Sequence, residues 1–168
     1  MKISSKTLVA LFATLLLLIT SACQGKADDE HAPGFTLLNL KGDAVELSDY
    51  KDKVVLINFF ATYCPPCRME MPDFVRLQKE YGPKGFQVVA ISVDNNPEMV
   101  LPLFIQRLGI NFPVLLGTSK VLKDYGNIYA LPVTFILDRE HRIKKRFMGM
   151  VSEEDLKPVL DQLIEEGK

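Results

Sequence analysis

The chain is 168 residues long, with 20 basic and 21 acidic side chains, a formal net charge of −1 at pH 7 and a hydrophobic fraction of 48%. This balance, without a basic run, argues against nucleic acid as a partner, and the charges read as a solvated surface. Three cysteines and two isolated histidines, His31 and His141, are too few and too scattered for a paired-ligand zinc site, so no metal is expected.

Lys2 and Lys6 precede a stretch, positions 8 to 19, that is apolar except for Thr14, and Thr20, Ser21, Ala22 and Cys23 close it. A charged start, a short apolar run and small residues before a cleavage point describe a secretory signal too short to span a bilayer comfortably. Ser21-Ala22-Cys23 also resembles a bacterial lipobox, with Thr20 where an aliphatic residue is usual. Cys23 is therefore expected to become a lipid-bearing N-terminus. Cleavage after Ala22 that leaves an ordinary thiol is the alternative. The expected organisation is a lipoprotein-type signal over 1–22, a polar tether over 23–32, and one domain with a real core over 33–168.

Positions 35–40 and 44–47 are short β-prone runs around the turn Lys41-Gly42-Asp43 and predict a hairpin. A polar link leads to positions 54–61, an apolar, β-branched and aromatic run that suits a strand buried on both faces. From Pro65 the pattern is helical to about Tyr81, with Gly82-Pro83 ending it and Pro72 expected to kink it. Met69, Phe74, Leu77 and Tyr81 fall at helical spacing as core positions. A second buried strand spans 86–93, a helix 98–108, a short strand 112–116 and a short helix 119–125. Strand 133–137 then turns through the charged positions 138–142 into strand 143–147, leaving His141 exposed in that turn. Ser152 opens a last helix striped by Leu156, Val159, Leu160, Leu163 and Ile164, although Pro158 argues for a later regular start. Alternating strands and helices followed by a hairpin predict an α/β domain, a mixed sheet with helices on both sides.

Between the central strand and its helix lies Cys64-Pro65-Pro66-Cys67. Pro65 suits a first helical turn, which sets Cys64 at or just before the helix N-terminus, where unpaired N–H groups and the helix dipole favour a thiolate. Cys67 is close enough in sequence to close a small disulfide ring with it. A low-pKa thiol beside a resolving thiol suits thiol–disulfide exchange. A structural zinc pair and an inert disulfide are the competing readings, and the strand–turn–helix setting favours the redox pair.

The segment 47–50 (Leu-Ser-Asp-Tyr), the run 54–68 through the Cys pair, and 131–138 (Leu-Pro-Val-Thr-Phe-Ile-Leu-Asp) together resemble the TlpA/ResA-type thiol–disulfide oxidoreductases of the thioredoxin superfamily. The likeness covers roughly 32–165. It implies a thioredoxin-like fold with an added N-terminal hairpin and an insertion, here 97–116, after the second core strand. It also implies work outside the cytoplasm, attachment to a membrane, and reductive chemistry in many members, cytochrome c maturation being a common setting. By the resemblance, Cys64 is the attacking thiol, Cys67 the resolving thiol and Pro132 a cis-proline. Glu70 is the active-site carboxylate, one turn past Cys67 and able to take its proton; a solvent-exposed helix glutamate is the alternative. Tyr63, Pro65, Leu131 and Gly149 are implied to meet the substrate. Phe60 and Tyr63 stand where the family often has Trp, and Asn58 where cytoplasmic thioredoxins carry a buried Asp.

The implied partners are a protein disulfide as substrate and a membrane-embedded thiol reductase as electron donor. No flavin or nicotinamide motif is present and no cofactor is expected. Two other functions fit the sequence less well. A peroxiredoxin-like thiol peroxidase would need Pro at position 57 and Thr at 61, where the chain has Ile57 and Ala61. A Sco-type copper chaperone would space its cysteines by three residues rather than two.

Overall fold

A computed structural model of the chain describes residues 30–166. The expectations for the signal peptide, for Cys23 and for most of the tether lie outside the described residues. A five-stranded sheet, in the order β5-β4-β3-β6-β7, is built from β3 (Val54–Phe60), β4 (Phe86–Ser92), β5 (Val114–Leu116), β6 (Val133–Leu137) and β7 (Ile143–Met148). β3, β4 and β5 run parallel, whereas β6 is antiparallel to β3 and β7 to β6. Strands β1 (Thr36–Leu38) and β2 (Ala44–Glu46) form a separate antiparallel hairpin.

All seven residues of β3 are buried, as its apolar run, broken only by Asn58, leads one to expect. Leu56, Asn58 and Phe60 point to one side, because successive strand residues alternate. There Leu56 and Phe60 meet Met71, Phe74 and Leu77 of α1 (Pro65–Tyr81) and Leu156, Leu160 and Leu163 of α4 (Glu153–Glu166). Val55, Ile57 and Phe59 point the other way, towards the N-terminal hairpin and α3 (Ser119–Asp124). On that side Phe59, Tyr125 and Phe135 form a triangle of rings with centroids 5.3 to 6.1 Å apart. The central strand is thus fixed from both faces, and the turn at its C-terminal end starts from a rigid base.

The expected insertion carries α2 (Pro97–Leu108), which buries only Leu101 completely and stacks Phe104 on Phe60 at 5.6 Å. The sheet and its flanking helices are those of a thioredoxin-like fold.

Several boundaries differ from the sequence reading, each for a local reason. The first hairpin strand stops at Leu38 because Asn39 already turns the chain, its Oδ1 accepting from the Lys41 and Asp43 amides at 2.8 and 3.0 Å. Strand β5 starts after Pro113, which has no N–H for the ladder. Pro158 does not delay the last helix. Ser152 and Asp155 cap it reciprocally, with Ser152 N donating to Asp155 Oδ2 at 3.0 Å and Asp155 N to Ser152 Oγ at 3.3 Å, so the helix is regular from Glu153. Pro72 lies inside α1 without ending it. Residues 30–32, assigned to the tether, are bound instead: Ile143 N donates to Glu30 O and Ala32 N to His141 O, both at 2.8 Å. His141 is not a free surface residue either. It is partly buried, with Nε2 3.1 Å from the Tyr50 carbonyl oxygen.

Candidate active site

The chain leaves β3 through Ala61, Thr62 and Tyr63, and Asp94 fixes this turn from the end of β4. Its carboxylate accepts from Thr62 N at 3.1 Å and Thr62 Oγ1 at 2.7 Å, and from Ser92 Oγ at 2.8 Å. Cys64 then caps α1. With proline at the first two helical positions, Cys67 supplies the first N–H of the helix, and it donates to Cys64 Sγ at 3.3 Å. The amide and the positive end of the helix dipole therefore both address the Cys64 sulfur, a setting that lowers a thiol pKa.

Cys64 and Cys67 are joined in a disulfide with Cα atoms 5.3 Å apart. The two residues are not equivalent, since Cys64 keeps 8% of its surface exposed and Cys67 keeps none. An incoming sulfur can reach only Cys64. Tyr63, next to it, is 65% exposed, and Pro65 is exposed too.

One turn beyond Cys67, Glu70 is only 1% exposed, which excludes the solvent-facing alternative. Its Oε1 accepts from Asn58 Nδ2 at 2.8 Å and its Oε2 from the Val151 amide at 3.2 Å. Burial pushes the carboxyl pKa up to about 7, and the nearby Asp73 charge adds to this. The hydrogen bonds from Asn58 and Val151 oppose the rise. Asn58 is itself fully buried on the α1 side of β3 and donates a second hydrogen bond to Thr134 Oγ1 at 3.0 Å.

Thr134 lies on β6, two residues after Pro132. The Leu131–Pro132 peptide bond is cis, and pairing of Val133 with Phe59 sets this proline at the C-terminal end of β3, the end from which Cys64 follows. The Pro132 carbonyl accepts from Gly149 N at 2.9 Å, and Gly149 has φ +93°, which favours glycine. The Gly149 amide is thus engaged within the chain, and its Cα faces open space. Leu131 is half-buried beside it.

The structure therefore gathers Cys64, Cys67, Glu70, Pro132 and Gly149 at one end of the sheet. The sequence reading missed Asp94, Thr134 and the partnership of Asn58 with Glu70. The one available signal was an amide alone in an otherwise apolar strand, in register with the residues that face α1. Among the described residues, no cluster of three or more His, Cys, Asp or Glu side chains is arranged to hold a metal ion.

A sequence model of the AhpC/TSA family matches residues 29–146. The thiol-disulfide oxidoreductase ResA of Geobacillus kaustophilus is 33% identical over 132 residues, covering 79% of this chain and 75% of that one. ResA of Bacillus subtilis is 31% identical over 144 residues, covering 86% and 80%. Among solved structures, a thiol:disulfide interchange protein of the thioredoxin family from Chlorobium tepidum superimposes with a TM-score of 0.74 at 28% identity, covering 83% of this chain and 99% of that one.

Proposed function

The chain belongs to the AhpC/TSA family and to the TlpA/ResA-like thiol–disulfide oxidoreductases of the thioredoxin superfamily, and from that premise we propose that it reduces protein disulfides outside the cytoplasm. The observation that carries the assignment of attacking and resolving thiols is the inequality of the two sulfurs. Cys64 is reachable and faces a helix N–H, while Cys67 is fully buried on the helix that carries Glu70.

In the proposed cycle the Cys64 thiolate attacks one sulfur of a substrate disulfide. A mixed disulfide forms and the second substrate sulfur leaves as a thiolate, which takes from solvent the proton that Cys64 had released. Cys67 gives up its proton and attacks Cys64 Sγ, which re-forms the Cys64–Cys67 disulfide and releases the second substrate thiol. Two electrons and two protons pass from the dithiol to the substrate. Glu70, poised near neutrality by burial, receives the Cys67 proton. Tyr63, Pro65 and Leu131 form the surface on which the substrate backbone rests, beside Pro132. The spent disulfide is reset by a membrane-embedded thiol reductase. Cys23 holds the domain to the membrane through lipid, and an apocytochrome c awaiting haem is a fitting substrate. A peroxidase loop would need Pro and Thr where buried Ile57 and Ala61 stand.

Trapping tests the assignment. Cys67→Ser should hold substrate as a mixed disulfide and Cys64→Ser should hold none. Equal trapping by both variants would overturn it.

A further inference from the structure

A groove of about 290 Å³ opens between α2 and the start of α1, the helix that carries the disulfide. Val100, Leu103, Phe104 and Leu108 form its apolar wall, and Thr62, Arg68 and Arg107 its polar rim. It adjoins the reactive end directly, since Thr62 stands two residues before Cys64 and Arg68 immediately follows Cys67. Leu103 is 50% exposed and Val100 38%, although α2 is well seated through Leu101 and Phe104. Val100 and Leu103 are therefore apolar surface that the fold itself leaves uncovered, beside the partly buried Phe104 and Leu108.

Among the described residues, neither the Arg68 nor the Arg107 guanidinium makes a hydrogen bond or an ion pair. By contrast Arg76 binds Glu153 and Asp73, and Arg139 binds the Asp52 carbonyl. Asp94, which holds the rim residue Thr62, is also engaged by Ser92. Two free guanidinium groups beside uncovered aliphatic surface complement a ligand that carries a carboxylate and a bulky apolar group together. Arginine matches a carboxylate with paired N–H donors.

Building on the reductase reading, we propose that this groove binds the segment flanking the reactive cysteine of the substrate protein, a bulky apolar side chain filling the groove and a neighbouring Asp or Glu engaging Arg68 and Arg107. The site selects among protein disulfides by the residues around them. Substrates with basic flanks are disfavoured.

The test uses the reduced protein and synthetic peptides with one internal disulfide, identical except for a flanking Leu-Glu or Leu-Lys, together with hydroxyethyl disulfide as a small neutral control. The wild type should reduce the Leu-Glu peptide with a kcat/KM about fivefold or more above the Leu-Lys peptide at low salt, the scale of one or two exposed ion pairs. The ratio should fall towards one as salt screens the pairs. Arg107→Glu, one helix away from the cysteines, should invert the ratio, and Arg68→Glu should shift it the same way. Each ratio is internal to one variant, so a change in thiol reactivity does not imitate the effect. A wild-type ratio within twofold of one, or a ratio that Arg107→Glu does not move, overturns the inference while reduction of the neutral disulfide leaves the enzyme's chemistry standing. Failure to reduce any disulfide, the neutral one included, overturns both.

Discussion

Asn58 Nδ2 lies 2.8 Å from Glu70 Oε1, so a buried amide of the central strand holds a buried carboxylate of the active-site helix. The same nitrogen serves Thr134 Oγ1 at 3.0 Å, while Asn58 Oδ1, also buried, has no partner among the described residues. In this orientation the amide only donates to Glu70, which suits the ionised form.

Glu70→Gln is expected to slow resolution of the mixed disulfide by about 10²-fold, the low end of what a positioned proton acceptor contributes. It should also raise the reduction potential by tens of millivolts, about 30 mV being a tenfold change in the dithiol equilibrium. Loss of a carboxylate that opposes a Cys67 thiolate gives that sign. Rapid-quench kinetics and a glutathione redox titration check the two quantities. A variant unchanged in both would leave Glu70 without a part in the chemistry.

The Glu70 carboxyl is raised from 4.5 to about 7 on folding. The folded state thus holds this proton more tightly, and its stabilising contribution is complete below pH 4.5 and fades as pH rises to 7. At pH 8 the ionised, desolvated carboxylate costs on the order of 3 kcal/mol relative to a group with no shift. Urea denaturation of the wild type should show stability falling across that window, and Glu70→Gln should flatten this component. A wild type that gains stability from pH 5 to 7.5 through this residue would contradict the assignment.

Asn58→Ala removes a donor that opposes the rise, so the Glu70 pKa should move further up, and the acidic limb of the resolution rate, where the proton acceptor is already protonated, with it. The substitution also leaves a cavity and an underpaired carboxylate, with a stability loss of about 2–4 kcal/mol. The pH profile separates the two effects, since a purely structural loss would lower the rate without shifting the limb.

Asp94→Ala deprives Thr62 N, Thr62 Oγ1 and Ser92 Oγ of their acceptor. A cost of about 2–3 kcal/mol is expected. The turn that presents Cys64 should loosen, seen as faster exchange of the Thr62 amide with deuterium. Wild-type exchange at that amide would show that the turn is held by something else.

Gly149→Ala meets open space, with no heavy atom within 4 Å of the new Cβ, but at φ +93° the residue is strained wherever it is put. About 1–2 kcal/mol of destabilisation is expected. Lost affinity for a substrate peptide beyond that would show that the Pro132–Gly149 pairing shapes the docking surface.

The central strands β3, β4 and β6 were legible because they are buried and read as nearly continuous apolar runs. The Cys pair was legible because a short motif sat at a strand-to-helix junction. The surroundings of Glu70 were not. Its partners Asn58 and Val151 lie 12 and 81 residues away, and no periodicity links such positions. The same holds for residues 30–32, whose polar composition suits a tether but whose backbone hydrogen bonds are supplied by residues 141 and 143. Pro158 misled in the opposite direction, because a local penalty was outweighed by the Ser152–Asp155 cap and the packed stripe beneath it.

Glu30 pairs with the first residue of β7, whereas Gly149, just past the last, meets Pro132 at the reactive end. Six residues of strand, roughly 20 Å, separate the two points. Glu30 therefore lies at the pole of the domain opposite the disulfide. If the proposed lipid at Cys23 anchors the domain, the proposed thiol reductase of the same membrane would have to reach past this pole to meet the cysteines.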